Sequence, residues 1–419
     1  MSTVGIIAEY NPFHNGHQYQ LEEAKRITGA DQCVIIMSGH FVQRGQPALV
    51  DKWTRTKMAL SCGADLVIEL PVHFSTSSAE FFAYASVKVL HDLGMVDCLC
   101  FGSEIGDPHI LGQIASILCH EPPLFKEKLN QFLQQGNSFV TARANALIHY
   151  LTHQEDLDID KDTLIDLIGS PNNILGIEYL KALQKLRSPI KPYTIKRIGS
   201  SYHADDLQMC LSSATAIRQS LVNQPDISHL THCMPKKALR YLAEAIDGCI
   251  APMDYDDFST MMNYQLKNAT SSLLESYMDV SEGIENRFKK AVSCYQPISY
   301  IVDYTRTKRY PISRIQRTLL HILLGLTKKD FQAFVDRGYV QYIKLLGFKK
   351  NNGDLLKRLK RHATLPIISN VADSIPSLDN LQLRMLEDEM KATDLYNIAL
   401  GNKYGTSIKT DYTQPVIIL

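Results

Sequence analysis

Two histidines with a glycine between them, His14 and His17 around Gly16, follow directly on an apolar run that holds Val4, Ile6 and Ala8. These residue types at this spacing suit phosphate chemistry. A strand that ends in a turn and feeds a helix points the first backbone N–H groups of that helix at the turn, where they attract an anion. Gly16 has no Cβ, so a phosphate or a flat base can approach the backbone closely. Three apart on the first turn, the imidazoles can lie on one side, hydrogen-bond phosphate oxygens and, when protonated, offset charge developing on a pentavalent phosphorus. The turn Asn11-Pro12-Phe13 fixes the backbone just before them. A plain helix start with two satisfied histidines does not account for that turn.

Other segments carry related chemistry. Ser212-Ser213-Ala214-Thr215-Ala216-Ile217-Arg218 places hydroxyls and backbone amides at a helix start with Arg218 one turn in, a set able to hold β- and γ-phosphates. In isolation it reads rather as a Ser/Thr-capped helix with a surface arginine; beside the His14 and His17 turn the phosphate reading prevails. Asn172 and Asn173 precede a helical run, where their amides either cap it or meet a ribose or base. Lys196-Arg197 closes the last expected strand. The polar loop 37–48, with Ser38, His40, Gln43 and Arg44, follows a strand directly and suits either a loop that closes over substrate or a merely flexible one. Beyond it, Lys52, Arg55 and Lys57 either steer phosphate or are merely solvated.

Apolar, β-rich runs at 4–8, 33–37, 66–70, 98–102 and 193–198 alternate with helical spacing at 17–27, 52–62 and 78–93. Gly29, Gly63 and Gly94 sit where helix C-caps belong. This alternation predicts an α/β fold, a doubly wound parallel sheet with ligands at the carboxyl ends of its strands. The residues of interest fall there: Ser38-Gly39-His40, then Glu69 and His73, then Gly102-Ser103-Glu104. A helical insertion is expected over 107–168, with an acidic, solvated segment at 155–162. After 212–221 the strand signals largely vanish, and from 235 onward the chain reads mostly as helices. A boundary near 230 divides it into domains 1–230 and 231–419.

With 419 residues and 45% hydrophobic content, the composition is that of a globular protein of two or three domains. No apolar run approaches bilayer-spanning length and the N-terminus lacks a signal-peptide pattern, so no membrane partner and a cytoplasmic location are expected. Nine cysteines without a Cys-x-x-Cys pair suit reduced thiols rather than disulfides or structural zinc, with Cys98 and Cys100 as core. Lys plus Arg equals Asp plus Glu at 44 each, so nucleic-acid binding needs a local patch. Arg306, Lys308, Arg309, Arg314 and Arg317, then Lys349, Lys350, Lys357, Arg358, Lys360 and Arg361, form two such clusters interleaved with Tyr304, Tyr310 and Phe348. As isolated clusters they read equally as solvated helix faces.

The His14 turn resembles the HxGH signature of the nucleotidyltransferase superfamily, and the Arg218 segment resembles its ISSTxxR signature, with Ala214 departing from the second serine. EYNPFHNGH, SGHFVQRGQPA, FGSE, PNNILGIEYLKAL and LSSATAIRQ, in that order, are together similar to the bacterial tRNA(Met) cytidine acetate ligase family over nearly the whole chain. The resemblance implies a Rossmann-like sheet of HxGH type with a mainly helical, tRNA-binding C-terminal domain. It implies ATP-dependent activation of acetate to acetyl-adenylate, then acetyl transfer to the wobble cytidine amine of elongator tRNA(Met). His14 and His17 would be catalytic. Carried over by position, ATP would be bound by Ile7, Ala8, Glu9, Tyr10, Asn11, Pro12, Phe13, His14, Asn15, Gly16, His17, Gln18, Tyr19 and Gln20, by Gly102, Asn172 and Arg197, and by Ser213 and Arg218. Mg2+ would assist on the pyrophosphate, although no metal motif is present. His40 and Glu104 are candidates to accept the amine proton. Two rival functions remain: a small-molecule adenylyltransferase, and a catalytically silent nucleotide-sensing or RNA-binding protein.

Overall fold

In the computed structural model, β1 (Thr3–Ala8) lies inside a mixed sheet, because it and its neighbours are apolar nearly throughout and must be covered on both faces. The structure describes residues 1–137, 139–152, 161–197, 214–223, 226–307 and 310–419. From β1 the chain steps to β2 (Gln32–Ser38), passes a small antiparallel hairpin of β3 (Phe41–Val42) and β4 (Gln46–Pro47), and reaches β5 (Leu66–Leu70). It then returns to the other side of β1 with β6 (Cys98–Ser103) and β7 (Lys191–Lys196). β5, β2, β1, β6 and β7 are mutually parallel. The winding direction reverses between β1 and β6, so a crevice opens at their carboxyl ends.

Alternation along the strands sends side chains to two cores. Val4, Ile6, Cys33, Ile35, Cys98 and Cys100 pack beneath α1 (Asn15–Thr28) and α2 (Lys52–Ser61). Val34, Ile36, Leu66, Ile68, Leu99 and Phe101 pack beneath the helices Ala79–Asp92 and Pro171–Lys185. The eight described cysteines are free thiols. The expected insertion is helical: Pro108–His120, Pro123–Gln134, Phe139–Leu151 and Lys161–Gly169. Residues 153–160 of its acidic segment lie outside the described residues.

The C-terminal half is mainly helical, and its helices Ser259–Asn268, Ile284–Ala291, Ile298–Thr305 and Ile312–Leu324 enclose a third core. It also supplies three strands that sequence patterning did not show: β8 (Ile343–Phe348), β9 (Ile367–Ile368) and β10 (Ile417–Ile418). β8 pairs antiparallel with β5 and parallel with β9 and β10, extending the sheet past its expected edge. A six-residue apolar run between helices has no periodicity that separates strand from helix. The boundary expected at 230 is therefore crossed by the sheet itself. The helix Asn380–Tyr404 ties the halves together, with Met385 and Leu386 in one core and Ala392, Tyr396 and Leu400 in another. No helix among the described residues is long and apolar enough to cross a membrane.

Candidate active site

Past Ala8 the backbone turns sharply. Tyr10 takes a positive φ of 48° and Asn11-Pro12 is cis, while Asn11 Oδ1 accepts a hydrogen bond from Leu49 N at 2.7 Å. Ile7, Ala8 and Glu9 are half-buried at the strand end, and Tyr10, Asn11, Pro12 and Phe13 are buried. The turn delivers His14 as the N-cap of α1. His14 Nδ1 accepts from Gly16 N at 3.0 Å, and His17 Nδ1 accepts from His14 N at 3.3 Å. The rings of Tyr10 and Phe13 stand 4.9 and 5.6 Å from that of His17 and fix its plane.

Two expectations change here. The first-turn N–H groups are not bare: Asn15 N donates to Cys233 O, Gly16 N to His14 Nδ1, and His17 N and Gln18 N to His14 O. Burial also disfavours the charged form of both histidines. Burial, reinforced by the guanidinium groups of Arg197 and Arg218, pushes His14 down to about 4. Burial, then His14 and Arg197, holds His17 well below its usual value. Since both Nδ1 atoms accept backbone protons, each neutral ring carries its proton on Nε2. What the turn offers an anion is a pair of Nε2–H donors. Farther along α1, Gln18 bonds Glu22 at 2.7 Å, Gln20 is half-buried and Tyr19 is 42% exposed.

Two cations, Arg218 and Arg197, stand close enough to the turn to act on His14. Arg218 Nη1 donates to Asn11 O at 2.7 Å and Nη2 to Thr215 Oγ1 at 3.1 Å. Ser213, the other residue expected from that segment, lies outside the described residues. Arg197 emerges from β7 with its backbone N bonded to Ser103 O at 2.8 Å. Its side chain crosses Gly102, where an added Cβ would stand 3.3 Å from Arg197 Cγ. Asn172 is half-buried at the start of the helix Pro171–Lys185, with Nδ2 donating to Glu104 at 2.7 Å. Its neighbour Asn173 is 1% exposed and is bonded at both ends of its amide. Gly102, Arg197 and Asn172 thus gather around β6 and β7, next to the crevice.

The loop after β2 is a buttress rather than a mobile cover. Gly45, at φ 77°, packs so closely on the helix Ile312–Leu324 that an added Cβ would lie 2.6 Å from Arg317 Cα. Gln43 N donates to Glu9 Oε1 at 2.9 Å. Arg55 and Lys52, expected to steer phosphate or be solvated, are both fully buried. Arg55 spends its guanidinium on the carbonyls of Val50, Glu9, Ser38 and Gly39. Lys52 lies 2.8 Å from both Glu69 and Asp411, and Lys344 also pairs with both carboxylates. Burial works against the charge on Glu69, but Lys344 and Lys52 outweigh it and hold that carboxyl below its usual range. Burial, then Glu69, pushes Glu389 well above its usual range. Two ammonium groups therefore face Glu69 and Asp411, with Glu389, whose charged form burial disfavours, 3.8 Å from Lys52. His40, bonded through Nδ1 to Thr393 and 1% exposed, cannot reach a substrate. A separate cleft of about 790 Å³, lined by Trp53, Lys344, Lys360, Lys409 and Tyr412, shares no residue with the His14 turn.

Of the basic clusters, Arg314 and Arg317 pair with Glu282 and Asp279, Arg306 is exposed, and Lys308 and Arg309 lie outside the described residues. Arg358 bonds Thr3 and Gln32, and Lys349 pairs with Asp65, which places that cluster at the amino edge of the sheet, opposite the crevice.

A model of the family described as HIGH Nucleotidyl Transferase matches residues 1–411. The chain is 42% identical to the tRNA(Met) cytidine acetate ligase of Acetivibrio thermocellus and 43% identical to that of Caldanaerobacter subterraneus subsp. tengcongensis, covering 100% of each chain in both cases. The chain belongs to the tRNA(Met) cytidine acetate ligase family. Among solved structures, Thermotoga maritima TmcAL bound with alpha-thio ATP is similar at a TM-score of 0.91 and 30% identity, with 100% of both chains covered. Its apo form gives 0.92. These matches run through the C-terminal half as well as the His14 turn. Sequence reasoning had singled out the FGSE block without finding what Glu104 does; that the block lies at a strand end was the available signal.

Proposed function

We propose that this chain activates acetate with ATP, forming acetyl-adenylate and pyrophosphate, and then transfers the acetyl group to the N(4) amine of the wobble cytidine of elongator tRNA(Met). The observation that carries the reading is the intact His14–His17 turn in a chain that matches these ligases end to end. Acetate is a poor acyl donor until adenylation gives it a good leaving group, and an exocyclic amine is a weak nucleophile that needs close positioning.

In the first step, an acetate oxygen attacks the α-phosphorus and the bond to the pyrophosphate oxygen breaks. Nε2–H donors from His14 and His17 would meet the oxygens of the α-phosphate, where charge builds in the transition state. Arg218, anchored on Asn11 O, and Arg197, laid over Gly102, would balance the triphosphate. Ile7 to Gln20, Gly102, Asn172, Arg197 and Ser213 complete the proposed ATP contacts. In the second step the amine attacks the acetyl carbon, AMP leaves, and a proton is lost from nitrogen. Neither candidate base fits: His40 is sealed in the core and the Glu104 carboxylate is engaged by Asn172 and Asn173.

Among the described residues no cluster of three or more His, Cys, Asp or Glu forms a metal cage. A magnesium ion on the pyrophosphate would neutralise part of its charge while keeping several of its waters. The helical residues 231–419 are proposed to hold the tRNA, with Arg306 and the exposed Tyr300 and Tyr304, stacked 6.1 Å apart, offering charge and a stacking surface.

The deciding experiment is acetate-dependent exchange of labelled pyrophosphate into ATP by the wild type and His14→Ala. Exchange that requires acetate and disappears in the variant supports the reading. A folded protein that binds ATP but shows no exchange sinks it in favour of a silent nucleotide-binding role. Acetate-independent transfer of AMP to a small molecule would favour the adenylyltransferase.

A further inference from the structure

After β6 the chain leaves the sheet for the helical insertion and comes back 68 residues later at Asn172. Glu104 joins the two ends. Its carboxylate accepts from Asn172 Nδ2 at 2.7 Å, from Asn172 N at 3.3 Å and from Asn173 N at 2.8 Å. Asn173 answers in the other direction: its Oδ1 accepts from Glu104 N at 2.9 Å and Ile105 N at 3.3 Å, while its Nδ2 donates to Leu167 O at 3.2 Å. This is not routine capping. A local cap, Ser170, is present and is not used on the helix, since its hydroxyl donates to Asp166 O instead.

The arrangement has a chemical consequence at Asn172. An amide whose nitrogen is held by a carboxylate cannot flip, because flipping would set its oxygen against that carboxylate. The Asn172 oxygen is thereby fixed as an acceptor directed away from Glu104. The same residue run holds the floor of the crevice: Ser103 Oγ bonds Thr194 Oγ1 at 2.8 Å and Gly106 N at 2.9 Å, and Ser103 O receives Arg197 N.

We infer that Glu104 is a positioning residue for the nucleoside end of the site: it sets Asn172 as an acceptor for a hydroxyl or amine donor of the adenosine and locks the base of the insertion to the Gly102 floor. The inference rests on the reading that Gly102 and Asn172 hold ATP. Direct ATP binding measured by calorimetry, together with KM and kcat in acetate-dependent exchange, tests it on Glu104→Ala, Glu104→Gln, Asn172→Ala and the double variant. Loss of a hydrogen bond to a charged group predicts that Glu104→Ala raises the Kd and KM for ATP about ten-fold, with kcat within about two-fold. Glu104→Gln keeps an acceptor for Asn172 Nδ2 and recovers part of the loss. On the Asn172→Ala background, Glu104→Ala adds less than about two-fold, because the two act as one unit. An unchanged Kd in Glu104→Ala, or a loss that adds in full on the Asn172→Ala background, overturns the inference. If Glu104→Ala does not fold, Glu104→Gln decides: a folded Gln variant with wild-type Kd overturns it, and a raised Kd at unchanged kcat upholds it. A wild type that binds no ATP would sink the ATP reading as well, whereas wild-type binding untouched by the variants sinks this inference alone.

Discussion

His14 and His17 stack with ring centroids 3.8 Å apart and 25° between their planes, each spending Nδ1 on a backbone N–H of the same turn. The structural and chemical duties of each imidazole are thus divided between its two nitrogens. Asparagine is as good an N-cap as the turn could have, but it has nothing at the Nε2 position. His14→Asn is expected to change stability by less than about 1 kcal/mol, while acetate-dependent exchange falls on the order of 10²- to 10³-fold. Urea titration and exchange rates on the same preparation check both halves; a large loss of stability would show that the ring packs rather than catalyses.

Acid should expose the same ring. Free histidine titrates near 6.5, whereas burial and the two arginines hold folded His14 near 4. Above pH 6.5 it is neutral folded or unfolded and costs nothing. As pH falls from about 6.5 toward 4 the unfolded chain takes up the proton and the folded one does not, so stability drops. The carboxylates lose stability in acid too, so the difference between wild type and His14→Asn isolates this residue: the variant should gain on the wild type over that window. Urea midpoints at pH 7, 6, 5 and 4 measure it, and a constant difference would refute the assignment.

The buried charges near Lys52 give opposite expectations for two neighbours. Removing one ammonium leaves uncompensated carboxylates in the interior, and Lys52→Met should cost about 3–5 kcal/mol. Burial and Glu69 push Glu389 above its usual range and so favour its neutral form, and it accepts from Val72 N at 2.6 Å. Glutamine reproduces a protonated acid, so Glu389→Gln should stay within about 1 kcal/mol of the wild type. Thermal melts compare the pair; equal losses would mean that Glu389 is ionised.

Gly45 combines a left-handed backbone with contact against helix backbone at Arg317. Gly45→Ala should therefore cost about 1–3 kcal/mol for the conformation alone, with more from the displaced helix. Because Gln43 of the same hairpin holds Glu9 at the end of β1, exchange activity should fall along with the melting temperature. A stable Gly45→Ala protein with full activity would show the hairpin to be dispensable.

What could be read from the sequence was local. The strands at 4–8, 33–37 and 66–70 and the start of α1 each follow from neighbours in the chain, and Gly29 and Gly94 take left-handed backbone at φ 64° and 63° as caps do. The His14 turn was legible because strand, turn and helix are contiguous. What was not legible depends on residues far apart: Cys233 O capturing Asn15 N, Arg55 turned inward on four carbonyls, and Glu104 reaching Asn172. Nothing in the pattern of Lys52 and Arg55 along α2 distinguishes a buried cation from a solvated one; only the arrival of Asp411 and the Glu9 carbonyl decides it.

The strands contributed from beyond residue 340 set an order of assembly. On a growing polypeptide, Lys52 is made 359 residues ahead of Asp411, and β5 stays an open edge until β8 is available to pair with it. Closing loops of that length is slow and brings no return until both ends meet. Until then Lys52 has Glu69 beside it but not Asp411. A nascent chain that has emerged only as far as the Arg218 segment would carry His14 and His17 but not Cys233, whose carbonyl receives Asn15 N, nor the helix backbone on which Gly45 rests, so the turn is held by chain made long after it.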